Sequence, residues 1–184
     1  MNKLLFVLLL MLQFSVNAEF VKINQNGASI SKDSKQWQCV LDKKTQLMWE
    51  VKTPKKGLQS NQNTYTWFDG SSGVENGEFS HHCHWGRNCN TQAYVNAINE
   101  KQLCGFNNWR LPSAKELQTL LLYKDDNPLI NSHFFPHTQS RLYWSQDTDS
   151  KQTGVAIDVP FFYGGTSGSA KSFDSYIRAV RNAH

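Results

Sequence analysis

His81, His82 and His84 flank Cys83, and imidazole nitrogens beside a thiolate are the ligand types that zinc and copper prefer. Cys89 lies only six residues further on, so a disulfide explains Cys83 better than a metal does. Asp125, Asp126 and Asn127 cluster oxygen ligands suited to calcium, yet no EF-hand spacing surrounds them, and with Pro128 they read as a helix-ending turn. Arg110 stands between Trp109 and Leu111. It reads either as a two-pronged clamp for a carboxylate or sulfate, or as a semi-buried partner of Asp42 or Glu116. Its apolar neighbours favour the structural role. No G-x-S-x-G, H-E-x-x-H or P-loop occurs, and the four cysteines are all wanted for disulfides, so no nucleophile with an adjacent base can be named. The chain is therefore expected to be no enzyme and to need neither metal nor cofactor. What remains is a mixture of cations and aromatics in the loops: Trp85, Arg87, Arg141, Lys151, Tyr163 and Lys171. Brought together, they would suit an anionic glycan, cations meeting sulfate or carboxylate and rings stacking on sugars. Left apart, they are ordinary solvated surface.

Composition supports a folded, exported protein. Of 184 residues, 39% are hydrophobic, 12% aromatic and 18% charged, which supplies one core and excludes global disorder. The formal charge of +4 is a small excess, and with export it argues against nucleic acid as partner. Lys3, an apolar run over 4–12, and small residues at Val16 and Ala18 read as a signal peptide over 1–18 cleaved after Ala18. That run is too short to cross a bilayer, so no stable membrane insertion is expected after cleavage. The mature chain, 19–184, is expected to be periplasmic or secreted. Its oligomeric state is left open. Oxidising conditions would pair Cys39, Cys83, Cys89 and Cys104, and geometry ranks the pairings. A helix over 90–101 would hold Cys89 and Cys104 at opposite ends of a rod about 16 Å long, beyond the reach of a disulfide. Cys83 with Cys89 and Cys39 with Cys104 are the expected bonds.

The elements that must position these residues follow from periodicity. Residues 38–41 and 47–51 are short apolar runs separated by Asp42, Lys43, Lys44, Thr45 and Gln46, which predicts a β-hairpin. The stretch 52–80 is rich in Gly, Ser, Asn and Lys and is expected to be a long irregular excursion. Ala93, Tyr94, Ala97, Ile98 and Lys101 recur at helical spacing behind Asn90 or Thr91. Ser113 and Glu116 form a capping box for a second helix that presents Leu117, Leu120 and Leu121 and ends near 125–128. Short strands are expected at 142–145, 155–159 and 176–180, with a flexible glycine-serine loop over 164–169. The order predicts a single α+β domain with the terminal strands adjacent. Trp49, Trp109, Tyr143 and Trp144 are expected in its core.

Several patterns coincide in one family. Asp42 through Trp49, the run Trp109, Arg110, Leu111, Pro112 followed by Lys115, Glu116, Leu117, and the closing Ile177, Arg178, Ala179, Val180, Arg181 occur in order. Phe135, Pro136, Tyr143, Trp144 and Ser145 extend the match. The chain resembles the Lcl C-terminal domain family, named after the tip of a bacterial collagen-like adhesin, over about residues 38–181. The resemblance implies a C-type-lectin-like α+β domain with an N-terminal hairpin, two helices, a small antiparallel sheet and long loops. It also implies export from a bacterium and, in the namesake adhesin, binding of sulfated polysaccharide. Trp49, Trp109, Arg110, Glu116 and Arg178 then serve structure. Neither Glu-Pro-Asn nor Gln-Pro-Asp, the calcium-dependent sugar triplets of true C-type lectins, occurs, so calcium-dependent sugar binding is not expected. Two positions depart from the family pattern: Gln46 stands where Gly is usual and Asn108 where Asp is usual. An exported binding or adhesion module is the leading expectation, with a structural or assembly component of the envelope that binds protein partners as the alternative.

Overall fold

The computed structural model describes residues 20–78, 80, 82, 83, 85, 88–123 and 127–184. The expected leader, Arg87, His81, His84, Asp125 and Asp126 lie outside the described residues. Among the described residues seven strands and two α-helices carry the architecture, which is mostly small antiparallel sheet. Strands β1 (Phe20–Ile23), β2 (Cys39–Asp42), β3 (Leu47–Glu50) and β7 (Val180–Asn182) form one sheet in the order β1-β2-β3-β7. Strands β4 (Leu142–Thr148), β5 (Val155–Pro160) and β6 (Ser167–Ala170) form a second, in the order β4-β5-β6. Helices α1 (Thr91–Glu100) and α2 (Ala114–Gln118) lie between them in sequence.

Local chemistry accounts for each start and stop. Strands β2 and β3 are antiparallel, Cys39 facing Glu50 and Asp42 facing Leu47. Asp42 holds the connection by accepting from the Lys44 N–H at 2.9 Å and the Thr45 hydroxyl at 2.7 Å. Gln46 completes the turn at φ 56°, the left-handed region in which glycine is at ease and a side chain is strained. Asn90 caps α1 by accepting from the Ala93 N–H at 2.7 Å, and Tyr94 and Ile98 point that helix into the core. Both halves of the α2 capping box form, the Ser113 N–H donating to Glu116 Oε2 at 2.7 Å and the Glu116 N–H to Ser113 Oγ at 3.2 Å.

Four expectations need correction. Helix α2 stops at Gln118 instead of continuing towards 125. The Thr119 hydroxyl takes the Glu116 carbonyl at 2.7 Å, and the Leu122 N–H pairs with Leu129, so the helical ladder loses its continuation. The glycine-serine loop is in part a strand: β6 pairs with β5 over Ser167–Ala170, a tertiary pairing that overrides weak local propensity. At the C-terminus the strand is Val180–Asn182. Tyr176 instead bonds to β4, its N–H to the Leu142 carbonyl at 3.0 Å and its carbonyl to the Trp144 N–H at 2.8 Å. Finally, the expected N-terminal hairpin is not the first element: β1 precedes it and pairs with β2.

The four-stranded sheet is buried on both faces, its alternating side chains joining two separate clusters. Cys39 and Met48 join a cluster with Tyr65, Trp67, Tyr94, Ile98, Trp109 and Trp144. Val40, Leu47, Trp49 and Val180 join the other, with Leu117, Ile130, Phe135, Tyr143 and Phe161. Cys39 is bonded to Cys104 with Cα atoms 6.5 Å apart, and Cys83 to Cys89 at 6.0 Å. The first bond ties β2 to the turn after α1, and the Cα separations suit disulfides. No helix among the described residues is long and apolar enough to cross a membrane.

Candidate functional site

The end of β3 carries the least expected chemistry. Glu50 and Lys52 are two apart, so both point to the same side of an extended segment, and both are buried. Lys52 Nζ lies 2.9 Å from Glu50 Oε1 and donates to the Tyr94 hydroxyl at 3.1 Å, while that hydroxyl donates in turn to Glu50 Oε1. The Ala179 N–H meets the second carboxylate oxygen at 3.0 Å. Arg178, fully buried, donates to the Glu50 carbonyl at 2.6 Å and to the Thr138 hydroxyl at 2.7 Å. Burial pulls the Lys52 ammonium down from its ordinary range against the raising effect of Glu50, and burial together with Glu50 pushes the Tyr94 phenol well up. The ion pair is thus enclosed by hydrogen bonds, the condition under which buried charge is tolerated.

Lys52 also lines the floor of a cleft of about 690 Å³. Its walls are three loops: Asn24, Gln25 and Asn26 after β1; Lys35, Gln36, Trp37 and Gln38 before β2; and Val51, Thr53, Pro54, Lys55 and Gln59 after β3, with Pro136 and His137 closing one side. Three lysines and a histidine line it, six side-chain amides accompany them, and among the described residues no carboxylate belongs to the lining. Lys35 and Lys55 are exposed at the rim. Trp37 is fixed by its indole N–H to the Phe134 carbonyl at 2.9 Å and by Lys22, whose ammonium sits 3.5 Å from the ring centroid. The loop of Asn24–Asn26 is held by Asn24 Oδ1, which accepts from the N–H groups of Asn26 and Ala28 at 2.9 and 3.0 Å. Such a lining attracts anions and offers both donors and acceptors to hydroxyl groups.

The residues singled out from sequence are dispersed by the fold. Arg141 and Tyr163 are exposed at one end of the second sheet, where the Phe161 N–H meets the Arg141 carbonyl at 3.0 Å. Lys151 is exposed in the β4–β5 connection at the other end, roughly 20 Å away along the strands. Lys171 is a correction: it is buried, 4.0 Å from the Trp67 ring centroid, and donates to Ser72 at 2.9 Å, so it is a packed cation and no surface ligand. Trp85 is half-buried against the core, with its ring 6.3 Å from that of Tyr94. Arg87 falls outside the described residues. Among the described residues, Trp85, Arg141, Lys151, Tyr163 and Lys171 are not gathered into one patch. Arg110 meets Glu116 through two bonds, at 2.8 and 2.6 Å, and not Asp42. The hydrogen bonds it donates to Glu116 hold the guanidinium above its ordinary range. Burial works to raise the Glu116 carboxyl, but Arg110 and the Ser113 N–H outweigh it and hold it below. Asn108, where the family usually has Asp, accepts from Arg181 Nε at 2.6 Å.

Sequence reasoning missed the cleft because its lysines and amides come from three separated loops. One local signal pointed to it: the alternation Trp49, Glu50, Val51, Lys52 puts opposite charges on one side of a strand otherwise apolar. Among the described residues no group of three or more His, Cys, Asp or Glu side chains is arranged to hold a metal. No curated protein and no solved structure matches the chain. The Lcl C-terminal domain model matches residues 38–181, a span that includes both disulfides, the Glu50–Lys52 pair and the later cleft walls. By that match the chain belongs to the Lcl C-terminal domain family.

Proposed function

We propose that this protein is an exported, non-catalytic binding module with a C-type-lectin-like arrangement of loops over small sheets, and that its cleft takes an anionic glycan. The observation that carries the reading is the lining: cationic, rich in amides, furnished with one indole and, among the described residues, free of carboxylates. Sulfate or carboxylate groups would meet Lys35 and Lys55, hydroxyls would exchange hydrogen bonds with Gln25, Asn26 and Gln36, and Trp37 would offer an apolar edge to a sugar ring. Lys52 lies below with its charge and hydrogen bonds already given to Glu50 and Tyr94, so the rim lysines supply the positive potential. Two disulfides suit a chain that folds in an oxidising compartment, and membership of a family named after an adhesin tip fits a binding role.

The test is retention on a heparin column against a salt gradient, followed by a glycan array. Wild-type protein should bind and elute with salt, and Lys35→Glu with Lys55→Glu should elute far earlier with an unchanged melting temperature, because both side chains are exposed. Equal elution of variant and wild type, or no retention of wild type at low salt, would remove the cleft from consideration. Retention of envelope proteins alone in a pull-down would move the function to assembly.

A further inference from the structure

Four strands form the outer edges of the two sheets, and three of them are closed by other parts of the chain. Beyond β1, the Ile30 N–H bonds to the Lys22 carbonyl at 2.9 Å; beyond β7, Arg110 and Val180 exchange bonds at 2.9 and 3.0 Å. Outside β4, Tyr176 and Pro112 supply partners for Trp144 and Gln146. Strand β6 differs. The sheet ends at it, no described strand or bridge pairs with its outer side, and the one backbone bond there is the turn bond from the Phe173 N–H to the Ala170 carbonyl at 2.8 Å. The Lys171 N–H bonds to the Gly154 carbonyl, so in the alternating antiparallel ladder Ser169 and Ser167 face β5 with their backbone groups, while those of Gly168 and Ala170 point outward.

Natural edges are protected by charge, proline or a bulge. This one has none: residues 162–170 contain no charged side chain and no proline. Exposed rings stand at both ends instead. Tyr123, Phe162 and Tyr163 are 70%, 44% and 59% exposed at the β5–β6 turn, and Phe173, 64% exposed, follows the strand. They are placed, not loose. Phe162 and Tyr163 meet edge to face at 4.5 Å, and Tyr123 lies so close over Gly164 that a Cβ there would come within 2.6 Å of its ring.

We infer that β6 is a self-association edge, on which a second copy of this chain pairs antiparallel about a two-fold axis near Ser169. In that register the Ala170 N–H of each copy donates to the Gly168 carbonyl of the other, twice by symmetry, the Ala170 carbonyl being held by Phe173. It also brings the three-ring end of each copy towards the Phe173 end of its partner. With about 200 Å² for each ring, the exposed parts of the four amount to about 470 Å², more than half of the roughly 800 Å² per partner that a standard interface buries. The paired edge contributes the remainder, and no charge on it opposes a copy of itself.

Sedimentation equilibrium over a wide concentration range tests this, with amide exchange read at β6. Wild type should approach twice the monomer mass, and the Ala170 amide should slow as concentration rises. Ser169→Lys sets two like charges across the axis and should weaken dimerisation at least tenfold, while Ser169→Thr should not. Tyr163→Ser with Phe173→Ser, which leaves β6 untouched, should weaken it too, and serves if the lysine variant fails to fold. A wild type that stays monomeric throughout overturns the inference, as does a dimer unaffected by the lysine. Monomeric wild type whose β6 amides are protected only by another protein would assign the edge to that partner and likewise overturn self-pairing.

Discussion

Removing the Cys39–Cys104 bond tests how the fold supports the cleft. That bond closes a loop of 65 residues, against six for Cys83–Cys89. On the chain-entropy relation the longer loop is worth about 4.3 kcal/mol at 25 °C and the shorter about 2.2 kcal/mol. Cys39 adjoins Gln38 of the cleft wall, and the turn at Gly27 rests on the Cys104 carbonyl, which an added Cβ would meet at 2.8 Å. Cys39→Ala with Cys104→Ala should therefore cost about 4 kcal/mol in urea unfolding and weaken heparin retention with it. Cys83→Ala with Cys89→Ala should cost about 2 kcal/mol. Equal losses from the two pairs, or a loss below about 2 kcal/mol for the first, would refute the claim that the long staple dominates.

Two further outcomes follow from the buried and half-buried ion pairs. Lys52→Met leaves the Glu50 carboxylate buried without its cation and should cost about 3–5 kcal/mol, whereas Glu50→Gln with Lys52→Met should lose less than the two single losses together; additive losses in a double-mutant cycle would contradict the pairing. Glu116→Gln keeps the capping hydrogen bond but loses the charge facing Arg110, at a cost of about 0.5–1 kcal/mol at pH 7 after solvent screening. Because the fold lowers the Glu116 carboxyl, its contribution is complete above the unfolded value of about 4.3 and fades as pH falls through the folded one, so wild type and variant should converge in acid unfolding curves. Curves that stay apart at low pH would show another cause.

Side-chain chemistry close in sequence was legible before any coordinates. The Ser113–Glu116 box, the Asn90 cap and the Asp42 turn are contacts within four residues, so their spacing alone determines their geometry. The cysteine pairing could be ranked because a rigid helix separates Cys89 from Cys104. The length of α2 could not be read, since Leu122 is drawn from the helix by a bond to Leu129. Nor could β6, whose Ser-Gly-Ser-Ala has little strand preference and exists as a strand because β5 offers it a ladder.

The amino-acid order by itself determined the family, the local caps and turns, and the aromatic stock of the core, because each depends on residue type and short spacing. Only the tertiary structure decided which cations face solvent. Lys171 has the same charge as Lys55, yet it is buried on Trp67 while Lys55 stands at the cleft rim. Whether a charge is buried depends on the groups the fold brings around it, and those come from segments as far apart as Ser72 and Lys171, beyond the reach of any local pattern.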